Sequence, residues 1–138
     1  MKPKPMNAKP PTVPAVDPAA DPPRLDEQAL ARLRELDPDG RHGVLQRVLR
    51  TYEGALQRQI VQIAEARDRS DVQAIGNLAH TLKSSSASVG ALALSALCSE
   101  VERQVRSGET AGLGPRVENL LTEAQVALGA VRAMLLLP

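Results

Sequence analysis

The sequence predicts an all-α fold, an antiparallel four-helix bundle with a short additional N-terminal helix. Three observations carry that reading. Apolar residues recur at spacings of three and four over long stretches from residue 25 onward, the period of a one-sided helix. Turns rich in glycine and proline cut those stretches into bundle-length pieces. The chain is 43% hydrophobic, yet Tyr52 is its one aromatic residue, so the core must be built from Leu, Val, Ile and Ala. Without aromatic payload such a composition suits helices better than sheets.

Residues 1–24 hold eight of the eleven prolines. They read as a disordered or polyproline-like tail, a tether or linker with too little apolar surface to pack. The bundle is expected over 25–138. Its first helix is short, Glu27 to about Leu36, with Asp26 as N-cap and Leu25 stapled onto Leu30. It stops at Asp37-Pro38-Asp39-Gly40, a turn sequence. A long second helix, about His42 to Asp68, repeats Leu45, Leu49, Tyr52, Leu56 and Ile63 on one side. Ser70 and Gln73 have the spacing of a capping box and open a third helix that runs to about Val89, with a break at Gly90. The fourth helix, about Ala91 to Ser107, turns Leu94, Leu97, Val101 and Val105 inward and ends on Gly108 as C-cap. Gly112 to Pro115 make the last joint, with Pro115 in the first turn of the fifth helix. There Val117, Leu121, Ala124, Leu128, Val131 and Leu135 form the inward stripe.

Composition narrows the functions. A formal net charge of +1 gives no field that would gather nucleic acid or an anionic membrane, and base-stacking aromatics are lacking. No apolar run approaches the ~20 residues of a membrane span. The N-terminus lacks the apolar segment of a signal peptide, so cytoplasmic location is the default expectation. Cys98 is the sole cysteine and sits in an apolar helical run, which favours packing over reactivity. One Cys and two distant His do not make a zinc site, and no glycine-rich phosphate cradle is present. No cofactor is expected in this chain.

The third helix departs from ordinary surface chemistry. Ile75, Leu78, Ala79, Leu82, Ser86 and Val89 share its core side. At ~100° per residue, His80 points about 140° away from Ile75, toward solvent or the rim. Gly76 and Asn77 lie a turn before it, Lys83 and Ser84 a turn after, and Ala87 one turn further. Gly76 and Ser84 cost helix stability, up to ~1 kcal/mol for an interior glycine. Together they read as low ground that lets another protein approach His80. The plainer reading is that small polar residues are tolerated on an exposed turn. Lys83 is the only lysine beyond residue 9. It places a compact, mobile charge within reach of anything attached to the ring.

Three chemistries fit an exposed histidine beside a lysine. General acid–base catalysis needs an orienting carboxylate and a pocket, and a convex helix with no acid within a turn of His80 supplies neither. A surface histidine with no role is the commonest case. The third is nucleophilic: the imidazole accepts a group and later surrenders it. An imidazole's ordinary pKa of ~6.5 leaves much of it unprotonated at neutrality, and Lys83 would offset the charge of a phosphoryl group. His42 has no comparable neighbours and reads as a plain surface residue.

The stretch from Ala79 to Ala91 resembles the histidine phosphotransfer (HPt) domain of bacterial multistep phosphorelays. The family pattern is His-x-x-Lys-Gly, then small residues, then Gly ten positions after the His; here stand His80, Lys83, small residues at 84–88 and Gly90. The following Leu94, Leu97, Cys98, Val101 and Glu102 also look like the family's next helix. One departure is Ser84 where the family most often has Gly, a small change that bears on partner choice or transfer rate. The resemblance covers roughly 25–135. It implies a histidine phosphotransfer protein with His80 as phosphoacceptor, Lys83 neutralising the phosphate, and Gly76, Asn77, Ser84 and Ala87 in partner docking. It also suggests Glu102 as a support for the histidine ring, against the simpler reading of a surface glutamate. The implied partners are response-regulator receiver domains, which bring the acceptor aspartate and Mg²⁺, and a hybrid sensor histidine kinase. The chain would be a carrier and not itself an enzyme, and a monomer is the simplest expectation. The alternative class is a helical adaptor that docks such domains without phosphotransfer. A kinase dimerisation module would show an acid soon after the His, where this chain has Thr81.

Overall fold

A computed structural model describes residues 24–137. Among them five helices occur: α1 (Glu27–Arg34), α2 (Val44–Asp68), α3 (Val72–Val89), α4 (Leu92–Ser107) and α5 (Leu113–Leu135). The expected tail at 1–24 lies outside the described residues, apart from Arg24. Each long helix packs on two others in a closed ring, α2 on α3, α3 on α4, α4 on α5 and α5 on α2. Neighbours run antiparallel. Arg67 meets Glu118 and Arg132 meets Glu53 between α2 and α5. Between α3 and α4, Gly76 faces Val105 and His80 faces Glu102. The short α1 closes one end against α2 and α3.

The core is one aliphatic cluster that draws on all five helices. Leu49, Tyr52, Leu56 and Ile63 are buried as the helical period required, and so are Val117, Ala124, Leu128 and Val131. Leu45, Leu78, Leu97, Val105, Leu121 and Leu135 pack at its edge. Tyr52 is the single buried aromatic, and its hydroxyl is 2.8 Å from Ser86 Oγ across the α2–α3 interface. Burial raises the Tyr52 pKa to about 12, so the phenol stays neutral. Cys98 is fully buried and burial pushes its thiol up to about 12, in keeping with a packing role.

Several helix ends differ from the sequence reading, for identifiable reasons. α1 stops at Arg34, and Leu36 and Asp37 turn with hydrogen bonds to Leu33 and Arg34. α2 starts at Val44 and not His42. The carboxylate of buried Asp37 reaches forward to accept from the backbone N–H groups of His42 and Val44, doing the work of a cap from outside the local sequence. Ser70 does not cap α3. It has φ 56° and closes α2 instead: Asp71 N–H bonds to Ala66 O and Ser70 N–H to Arg67 O, a Schellman ending. The N-cap of α3 is Asp71, whose side chain accepts from Ala74 N–H. The same ending closes α3 at Gly90 and α4 at Gly108. Gly90 has a second duty: a Cβ there would lie 2.6 Å from the backbone N of Asp26, which donates to Gly90 O. This contact pins the entry of α1 to the α3–α4 joint.

Candidate functional site

The α3–α4 interface positions the site. Helices approach closely where a small residue faces a branched one, and Gly76 supplies that here. A Cβ on Gly76 would sit 2.7 Å from Val105 Cγ1. Gly76 is buried, which corrects its placement as open ground for a docking partner. Its missing side chain serves the packing of α4, and only its edge reaches a surface groove. Ser95 Oγ donates to Lys83 O at 2.9 Å and ties the other half of the interface.

That approach delivers Glu102 from α4 to His80 on α3. The imidazole side chain is 63% exposed, whereas Glu102 is 7% exposed. His80 Nδ1 is 2.6 Å from Glu102 Oε2, and Lys83 Nζ donates to Oε1 at 2.7 Å. Arg106, one turn along α4, donates to Oε2 from a largely exposed position. A carboxylate this covered needs such partners, because burying its charge alone would be costly. The Lys83 hydrogen bond is the main reason that its pKa falls to about 2. Partial burial opposes that shift and His80 adds to it.

An ionised carboxylate only accepts hydrogen bonds, so Nδ1 must carry the proton. In the neutral ring Nε2 then keeps its lone pair, and the ring is exposed. Two sequence expectations are corrected by this geometry. An orienting acid does stand beside His80; it comes from a different helix, 22 residues on. Nor is the surface simply convex. A groove of about 310 Å³ opens beside His80, lined by Gln73, Gly76, Asn77, Glu102, Val105 and Arg106.

The remaining predicted residues fall on either side. Asn77 and Ser84 are exposed, Ala87 is half-buried, and Lys83 is 34% exposed, more sheltered than an outer-face lysine. A second, more apolar groove of about 420 Å³ runs between α2 and α3, lined by residues that include Val48, Thr51, Tyr52, Ala55 and Val89. His42 is exposed and remote from these groups in the α1–α2 joint, where its backbone binds Asp37. Sequence reasoning missed Arg106. Its signal was available, four residues after Glu102 and so on the same face of α4. Among the described residues no group of His, Cys, Asp and Glu is placed to hold a metal ion, and no helix is long and apolar enough to cross a membrane.

Comparison with known proteins follows the same lines. The family model described as Hpt domain matches residues 47–135, more than half of the chain. Sensor histidine kinase AruS of Pseudomonas aeruginosa is 39% identical over 92 residues, which cover 67% of this chain. The match spans 9% of the length of that kinase. The crystal structure of histidine-containing phosphotransfer protein B (HptB) from Pseudomonas aeruginosa PAO1 superposes with a TM-score of 0.70 at 26% identity, covering 81% of this chain and 94% of that one.

Proposed function

Since this chain belongs to the Hpt domain family, the histidine-containing phosphotransfer proteins of phosphorelays, we propose that His80 is its phosphoacceptor. One observation carries the assignment: an exposed imidazole whose Nδ1 is tied to the covered carboxylate of Glu102. That tie leaves Nε2 as the nucleophilic nitrogen. The Nε2 lone pair forms an N–P bond as the acyl-phosphate P–O bond of a partner aspartate breaks. The released electron pair stays on the aspartate carboxylate, and the Nδ1 proton stays on the ring, against Glu102. The ring gains positive character in this step, which Glu102 stabilises. Lys83 lies one turn from His80 and offsets charge on the phosphoryl oxygens.

The rest of the transfer machinery belongs to the partner. A receiver domain brings the aspartate and the Mg²⁺ bound by its own acids, and a hybrid sensor kinase is the class of donor that loads such a receiver. The docking surface is assigned to Asn77, Ser84 and Ala87 with the apolar groove between α2 and α3. Transfer in both directions follows from the lability of the N–P bond, so flux depends on the relative amounts of loaded partners.

The test is to mix the chain with a receiver domain carrying labelled phosphate. Acid-labile, alkali-stable label on the wild-type chain and none on His80→Gln, at equal helicity and melting temperature, is the expected result. Label that persists in His80→Gln would move the acceptor elsewhere. Tight docking with no label on either protein would turn the assignment to an adaptor.

A further inference from the structure

We infer that Arg47, Arg50 and Arg58 select and orient the docking partner, a receiver domain whose contact surface carries carboxylates along one side; this rests on the reading of a receiver as the partner. The three arginines are exposed on α2. Arg47 and Arg58 are about three helical turns apart, so they stand on one line of the helix, with Arg50 beside it. Among the described residues none of the three is paired with an acid. Glu53 lies within a turn of Arg50, but it is held by Arg132 of α5 at 2.9 Å. On α4 and α5, by contrast, every arginine meets a glutamate. The row does not serve its own helix either. Arg47 stands near the N-terminus of α2, where no acid occupies the first turn and the helix dipole disfavours a cation. Gly54 interrupts the line between Arg47 and Arg58. A Cβ there would meet only Arg58 Nη1, at 3.5 Å, so packing does not require the glycine as it does Gly76. It weakens the helix and leaves the row low in the middle.

The row borders the apolar groove between α2 and α3, which Arg47 lines together with Val48, Thr51 and Ala55. The opposite bank is neutral. Ser85 and Ser88 donate their hydroxyls to Leu82 O and Ser84 O of their own helix, and Lys83 is held by Glu102. An apolar trough with one positive and one neutral bank fits an apolar ridge with carboxylates on one side only. The register gives that fit a direction. Tyr52 faces Ser86. Arg58 lies six residues after Tyr52 and His80 six before Ser86. The helices are antiparallel, so both lie about 9 Å from that level toward the same end. An acidic edge laid along the row therefore ends level with the imidazole. Exposed ion pairs are weak singly, but a row of like charges steers encounters and rejects partners of the wrong charge.

The experiment titrates the full chain calorimetrically with a panel of isolated receiver domains, Mg²⁺-bound and unphosphorylated, that differ in net charge around the acceptor aspartate. The wild-type chain should favour the acidic members. The double variant Arg47→Glu, Arg58→Glu should bind those members about tenfold more weakly at low salt, with little change for neutral ones and a gap that closes as salt rises. Replacing both arginines by Lys should restore much of the preference. Arg47→Glu suits the start of a helix, and equal melting of the variant and the wild type separates docking from folding. Unchanged binding in the double variant, or an equal loss across the whole panel, would overturn the inference. Arginine-dependent docking with no label reaching His80 from phosphorylated receivers would leave it standing and remove the phosphoacceptor reading. Label transfer without a charge preference would do the reverse. A panel in which no receiver binds the wild-type chain would overturn both.

Discussion

Glu102 takes hydrogen bonds from three cationic or titratable side chains while it is nearly covered by protein. Its pKa of about 2 lies below its ordinary 4.5, so the folded state favours the ionised form. The stability this confers is complete above pH 4.5 and is lost as pH falls toward 2. Glu102→Gln should therefore flatten the acid-side decline of the melting temperature across that window. The same variant should slow phosphotransfer by about tenfold, the rate equivalent of ~1.4 kcal/mol, because an amide can present either end to Nδ1. Lys83→Ala should slow transfer by a similar order of magnitude with helicity unchanged. Unaltered transfer at unaltered melting would remove Lys83 from the phosphate site. His80 and Lys83 were legible in the sequence because both sit on one helix at fixed spacing. The grip of Glu102 was suggested only by resemblance, and Arg106 went unseen, because both depend on how α4 lies against α3.

That contact is a property of two helices. Gly76→Ala would bring a methyl within 2.7 Å of Val105 Cγ1 and force α4 outward. Overpacking of this kind costs ~1–3 kcal/mol, offset by up to ~1 kcal/mol of improved helix propensity. Thermal melting of Gly76→Ala should show the net loss, and adding Val105→Ala should recover part of it by clearing space. Transfer should fall in Gly76→Ala beyond what lost stability explains, since Glu102 retreats from His80 with α4. All five helices could be found from periodicity, because buried stripes repeat whatever the tertiary detail. Their ends were harder to place. The start of α2 is governed by Asp37 from the preceding turn. Ser70 adopts the left-handed conformation that glycine usually fills, so a spacing that suits a capping box served a different purpose.

Residues 24–137 form a closed ring of four helices around an aliphatic core, sealed at one end by α1. No single element can bury its stripe without the others, so unfolding should be cooperative. Leu56 is fully buried in that core. Leu56→Ala should cost ~2–5 kcal/mol, seen as a lower denaturant midpoint with an unchanged slope. Two separate transitions would show that the ring is not one unit. The architecture was legible because its logic is additive: amphipathic stripes joined by short turns have few ways to cover one another. The grooves were not, since a concavity arises between helices and belongs to neither sequence.

Tyr52 sits on the inner side of the apolar groove with its hydroxyl on Ser86, and it is the chain's only fluorophore of consequence. The protein therefore carries a built-in optical reporter on the wall of the proposed docking groove. Its ultraviolet emission should shift in intensity both when the chain denatures and when a dark partner settles on α2 and α3, so encounters can be timed without attaching a dye.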